Sequence, residues 1–276
     1  MDVWSPAQYR RFAAERRQPF DALVALCKPC RGGLAFDLGC GPGELTRELP
    51  RRLGVAHVVG VDASDAMLES AAEHQDDSVS FRMGDLRTFE SDVPVDVCFS
   101  NAALQWARDH ESVLRLWRAQ LAPGGQLAVQ VPCNGDHPAY QAITDTIAEQ
   151  RALFSGPLPS LASDDNVLTV ERYTELLCAL GASELNVHLR VFPHVLSGPL
   201  QVLEWVRGTA LHRVRVALPD DAAYGAFLAA YEERLRRVLG PPDMPYLFTF
   251  KRIFLWARFD TPAAARWTGS SACWTW

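Results

Sequence analysis

The sequence predicts an α/β fold: a mainly parallel sheet of seven strands, helices on both faces, and a helical cap. Three observations carry this prediction. Short apolar runs alternate with helical stretches from residue 34 to residue 131, the pattern of strands that need helical crossovers to lie parallel. The first run ends in a glycine-rich turn, Asp37-Leu38-Gly39-Cys40-Gly41-Pro42-Gly43, where an open α/β sheet takes its ligand. Beyond Pro132 the alternation loosens, and two helical stretches fall between the last two apolar runs, as a cap would require.

The elements follow in order. Pro6 to Leu26 reads as helical: Ser5-Pro6 is a start signal, and Tyr9, Phe12, Phe20, Leu23 and Leu26 form a broken apolar stripe. Leu34 to Leu38 is the first strand. Gly43 to Leu53 reads as a helix on the spacing of Leu45, Leu49 and Leu53. His57 to Val61 is the second strand, Ser64 to Ala72 a helix capped by Ser64, and Val79 to Met83 the third strand. Val95 to Ser100 is the fourth strand. His110 to Leu121 is a helix stopped by Pro123-Gly124-Gly125, and Gln126 to Val131 is the fifth strand. Helices are expected over His137 to Leu153, Val170 to Leu180, Leu200 to His212 and Asp220 to Leu239, with strands at Glu184 to Val191 and Leu247 to Phe259. No repeat is evident.

Composition narrows the function. The chain has 276 residues, 48% of them hydrophobic and 22% charged, with a formal net charge of −6. That supports one well-packed domain and gives no basic surface for nucleic acid. No apolar block resembles a membrane span or signal peptide, so a cytoplasmic location without membrane attachment is the expectation. The seven cysteines are an odd number, which fits reduced thiols. Cys27 and Cys30 form a CxxC, but ahead of the first strand and with no second ligand pair, so packing thiols rather than a metal site are expected.

The glycine-rich turn is the strongest chemical signal. Glycines let the backbone approach a ligand closely. A dinucleotide fingerprint starting at Gly39 would need Gly or Ala at residue 44, where the chain has Glu44. That carboxylate would face a pyrophosphate at the helix start. Asp62, ending the second strand, suits a pair of ribose hydroxyls.

The pattern resembles motif I of the class I S-adenosylmethionine-dependent methyltransferases, whose Rossmann-like fold matches the predicted sheet. The resemblance implies S-adenosyl-L-methionine as cofactor. It puts Asp37 near the cofactor's ammonium, directly or through water, with Gly39, Cys40 and Gly41 forming the loop. Asp62, Ala63 and Met67 would serve the ribose and adenine, Asp85 and Leu86 the adenine edge, and Asn101 and Ala102 the methionine portion. Met67 reads equally as core.

A narrower resemblance covers most of the chain. Trp4-Ser5-Pro6-x-x-Tyr9-x-x-Phe12-x-x-Glu15-Arg16-x-x-Pro19, Asn101-Ala102-Ala103-Leu104-Gln105-Trp106 with Asp109-His110, and Gln130-Val131-Pro132-x-Asn134 look like the trans-aconitate 2-methyltransferase family. Glu204-Trp205-Val206-x-Gly208-Thr209 and Phe248-x-Phe250-Lys251-Arg252-Ile253-Phe254 match in part. Departures fall in the cap: Leu211-His212-Arg213 stands where the family has Leu-Arg-Pro, and Phe248-Thr249-Phe250-Lys251-Arg252 where it has Phe-Pro-Phe-Arg-Arg.

The family implies methyl transfer to a carboxylate of a small organic acid. Residues 1–32 would form a helical lid and 33–260 the methyltransferase domain. Cap insertions would fall at about 133–170 and 197–245, and 261–276 is a tail of unassigned role. Tyr9 and Arg16 of the lid would hold a carboxylate of cofactor or substrate, and Gln105 and Trp106 would border the reacting methyl. An ionised carboxylate, with a pKa near ~4, needs no general base; in-line positioning suffices. Arg207, Lys251 and Arg252, with His212, are the candidate anion clamps. The alternative is an O- or N-methyltransferase of a secondary metabolite, with His110, His194 or His212 as general base.

Overall fold

Five residues, Leu34–Leu38, form the first strand (β1), buried along nearly its whole length, which only the middle of a sheet allows. In the computed structural model, which describes residues 13–159, 166–207, 210–241 and 244–261, β1 lies between β2 (His57–Asp62) and β4 (Val95–Asn101). With β3 (Val79–Met83), β5 (Leu121–Pro132), β6 (Glu184–Leu196) and β7 (Tyr246–Phe259) the sheet has seven strands, in the order β3-β2-β1-β4-β5-β7-β6. The first five strands are parallel, and β7 runs antiparallel to both neighbours. The predicted fold is the observed one.

Strand periodicity sorts the core into two layers. One face carries Leu38, Cys98, Val129, Val131 and Leu255. It packs on Trp117 of α4 (His110–Gln120) and Tyr173 of α6 (Val170–Ala179). The other carries Ala35, Phe99, Ala128, Phe254 and Trp256. It packs on Phe20 and Leu23 of α1 (Ala13–Val24).

Several boundaries differ from expectation. The helix foreseen from Gly43 begins later, as a 3-10 turn at Thr46–Glu48 leading into α2 (Leu49–Leu53). Gly43 has φ +76°, and a Cβ there would meet Phe81 at 2.7 Å. A left-handed residue cannot join a right-handed helix. α3 (Asp65–Ala71) starts where foreseen, with Ser64 Oγ accepting from Met67 N at 3.3 Å. β5 starts at Leu121, because a register shift lets Leu121 pair with Val95 and Gln126 with Val97 around the Pro-Gly-Gly segment.

The largest difference sets the cap. β6 runs to Leu196 because it pairs with β7 from Glu184–Arg258 through to Leu196–Tyr246, whereas β5 stops at the Pro132–Arg252 pair. Residues 191–196 and 246–251 therefore project as a two-stranded ribbon. Phe248 and Phe250 on it are buried in a separate apolar cluster. That cluster is completed by α5 (Pro138–Glu149), α7 (Gln201–Arg207), α8 (Ala210–Ala217) and α9 (Asp221–Val238). Over the stretch expected as helical from Leu200 to His212, the described residues are helical at Gln201–Arg207 and at Ala210–Ala217, which runs past His212. No described helix is long and apolar enough to cross a membrane.

Candidate functional site

The loop after β1 is anchored to the end of β2. Gly39 N and Cys40 N donate to Val61 O at 2.7 and 3.1 Å, and Gly41 N donates to Asp62 Oδ2 at 2.8 Å. Gly39 has φ +83°, and a Cβ there would lie 2.1 Å from Ala103 Cβ. Only glycine lets the loop after β4 descend onto it. That second loop is itself held in an uncommon conformation: Ala102 has φ +57°, a strain found where function needs it. Its backbone is fixed by Ala102 N to Gln130 O at 2.9 Å and Gln105 Nε2 to Ala102 O at 2.6 Å.

A cleft of about 340 Å³ opens at these strand ends, lined by Gly39, Gly41, Val61, Asp62, Ala63, Met67, Gly84, Asp85, Leu86, Arg87, Asn101, Ala102, Ala103, Trp106, Ala107 and His212. Four loops from four successive parallel strands meet there. Most of the residues singled out in the sequence are in this lining. Val61, Gly84, Arg87, Ala103 and Ala107 were not. Arg87 had a signal, since it stands two residues after Asp85, a residue singled out in the sequence.

The acids of the cleft are engaged. Asp62 accepts from Gly41 N and, at 3.0 Å, from Ser64 N; each carboxylate oxygen can take more than one donor. Asp85 accepts from Arg87 N at 2.8 Å and from Arg87 Nε at 2.9 Å. The Arg87 guanidinium therefore holds the Asp85 carboxyl below its usual range. Asp37 lies behind the lining, buried, and accepts from Thr46 Oγ1 at 2.7 Å. Burial pushes its pKa up to about 7, against the Thr46 hydrogen bond and with help from Asp62. Cys40 gives the loop its backbone but is not in the lining, and burial raises its thiol pKa.

At the β4 end the cleft turns aromatic and basic. Trp106 ends a 3-10 turn, Leu104–Trp106, with Gln105 buried beside it. Two consecutive residues of α8 reach it. The His212 ring meets the Trp106 ring edge-on at 6.3 Å. The Arg213 guanidinium lies 4.8 Å from the Trp106 ring centre and donates to Gln105 O at 3.5 Å. Arg213 was missed in the sequence; its place next to His212 was the only hint.

The other predicted cations fall elsewhere. Arg207 pairs with Glu204 at 3.3 Å with its side chain 40% exposed, and Lys251 Nζ is held by the Asp136 carboxylate. Neither is in the lining of this cleft. Arg252 is buried on the opposite side of β7 from Lys251, donating from Nη1 to Gln130 Oε1 at 2.8 Å. Of the candidate bases, only His212 reaches the cleft. His110 is buried against Tyr173, Nδ1 to Oη 2.5 Å, and burial lowers its pKa to about 4. His194 is buried against Trp205, ring centres 4.8 Å apart. Tyr9 and the Arg16 side chain lie outside the described residues. Cys27 and Cys30 are free thiols, and burial pushes Cys27 up to about 12.

Comparison with known proteins bears on the family and the fold. A family described as methyltransferase domain matches residues 35–125. A trans-aconitate 2-methyltransferase from Streptomyces coelicolor is 38% identical over 93% of this chain and 86% of its own. One from Deinococcus radiodurans is 38% identical over 90% and 95%. Among solved structures, the YcgJ protein from Bacillus subtilis superposes with a TM-score of 0.58 at 14% identity, covering 89% of this chain and 99% of that one.

Proposed function

The chain belongs to the family of trans-aconitate 2-methyltransferases, S-adenosylmethionine-dependent enzymes, and we propose that it methylates a carboxylate of trans-aconitate or a closely similar polycarboxylic acid. The observation that carries this reading is the polarity of the cleft. Asp62 and Asp85, the latter paired with Arg87, stand at the β2 and β3 ends, while Trp106 and His212 line the β4 end and Arg213, outside the lining, packs on the Trp106 ring. A neutral adenosine with a cationic sulfonium suits the first, and a polyanion the second.

The residues fit the cofactor. Gly39 admits backbone where a side chain would collide, and Asp62 has carboxylate oxygens for ribose hydroxyls. Asp85 with the Leu86 backbone would meet the adenine edge, Asn101 and Ala102 the methionine portion, and Asp37 the ammonium. When bound, the cofactor supplies an electrophilic methyl on sulfur. The protein's part is positioning. The acceptor carboxylate is ionised at neutral pH, so no side chain has to remove a proton. Arg213, stacked on Trp106, would hold the acid by charge-assisted hydrogen bonds and align its oxygen with the methyl. In this reading residues 133–170 and 197–245 form the cap that chooses the acid.

One observation supports a second reading, an O- or N-methyltransferase with a His base: His212 lines the cleft. A single assay separates the two. Labelled methyl transfer from S-adenosylmethionine is measured on trans-aconitate, other small acids, phenols and amines. Base-labile label on the tricarboxylate is expected. Label on a phenol or amine alone, or on no acid, would overturn the carboxyl reading.

A further inference from the structure

Gln130 sits one strand from the cleft, opposite Asn101 in the β4–β5 register, and its carbonyl holds the strained Ala102. Its side chain shares the sheet face of Ala128 and Phe254 and is 0% exposed. On β7, Arg252 is 6% exposed, its guanidinium 4.8 Å from the Phe250 ring centre.

The chemistry of the pair fixes its orientation. A guanidinium only donates, so the amide must turn Oε1 toward Arg252 Nη1, at 2.8 Å, and its NH2 away. Among the described residues Gln130 Nε2 has no hydrogen-bond partner although it is fully buried. A buried donor left unpaired costs its full desolvation penalty, more than a hydrogen bond's usual net contribution. The cost is recovered only if something else brings an acceptor. Beside a buried guanidinium, the acceptor of matching chemistry is a carboxylate.

We infer that Gln130 is a substrate-binding residue: its Nε2–H and the guanidinium that its oxygen orients together take a carboxylate of the acid other than the one methylated. The inference rests on the carboxyl methylation proposed above and deepens it. Arg213 approaches from α8 over Trp106, while Gln130 and Arg252 lie in the sheet beside Asn101. The acid would be gripped from two sides, which selects di- and tricarboxylates over monoacids.

The test uses the full-length enzyme loaded with S-adenosylhomocysteine and trans-aconitate titrated calorimetrically, followed by steady-state kinetics. Gln130→Met keeps the length of the side chain and removes the amide. Gln130→Glu sets a carboxylate against Arg252. Both are expected to weaken trans-aconitate binding and raise its KM by roughly ten- to hundredfold, with cofactor Kd within about twofold. A purely structural amide would instead move Tm and cofactor Kd through Ala102. If wild type binds the acid and both variants bind it equally well, Gln130 is not a substrate residue. If wild type neither binds nor methylates any acid, the carboxyl reading itself falls and takes this one with it. Should the Met variant not fold, the Glu variant decides.

Discussion

The two halves of the molecule place their chemistry by different means. In the parallel half, each residue proposed to face the cofactor sits within a few positions of a strand end. Gly39 follows β1, Asp62 ends β2, Asp85 follows β3, and Asn101 ends β4. The strand fixes the residue, and the loop has almost no freedom to move it. In the cap, a separate apolar cluster of Tyr140, Val206, Leu211, Tyr231 and Phe248 is assembled from segments far apart in sequence. Which cation faces the cleft then depends on how several helices pack. On the proposed reading, the cofactor is held by local geometry, whereas the acceptor would be read by tertiary packing.

The sharpest break of this contrast is Gly39→Ala. The new Cβ would collide with Ala103 and demand a left-handed alanine. Strain of roughly 3 kcal/mol, or about a hundredfold in cofactor affinity, is expected. Calorimetry with S-adenosylmethionine measures it, and unchanged affinity would mean the two loops move apart freely.

On the cap side, Arg213→Ala is expected to raise the acid's KM by roughly ten- to hundredfold, with a far smaller change in cofactor Kd. Equal losses in both constants would show that Arg213 merely props Trp106.

Asp37 gives a finer probe. Its pKa of about 7 in the fold stands above the ordinary 3.8. The folded chain therefore keeps a proton that the unfolded chain has lost. This group's contribution to stability is full below about pH 4 and declines as pH rises through about 7. On the proposed reading, in which this carboxylate serves the cofactor's ammonium directly or through water, cofactor binding moves the other way. Kd should tighten by roughly tenfold from pH 6 to 8. Asp37→Asn should flatten both profiles, and a persisting slope would assign it to another group.

The smallest effects are expected from Arg207→Ala and Lys251→Ala. Both side chains pair at the surface, with Glu204 and Asp136. Such pairs contribute ~0–1 kcal/mol, so Tm and KM should barely change. A large rise in KM for either would return it to the acid site.

Much of the fold was readable because hydrophobic period and turn chemistry act locally. Leu34–Leu38, the Gly39–Gly43 turn and the Ser64 cap need only near neighbours. The start of α2 was misread because leucine spacing does not report that Gly43 is left-handed. The reach of β6 to Leu196 was not legible either, since it depends on pairing with β7, some fifty residues away. The cap cations were legible as a set but not as individuals.

By itself the sequence determined the alternating α/β order, the glycine turn that excludes a pyrophosphate beside Glu44, and the acids at successive strand ends. These follow from backbone sterics and local charge. Only the tertiary structure decided between Lys251 and Arg252. Neighbours on a strand point to opposite faces, and Arg252 was turned inward to Gln130 while Lys251 went outward to Asp136. It also brought Arg213 over Trp106, more than a hundred residues away in sequence. Composition cannot specify such a contact, because it exists only once two separately packed cores have met along one ribbon of β6 and β7.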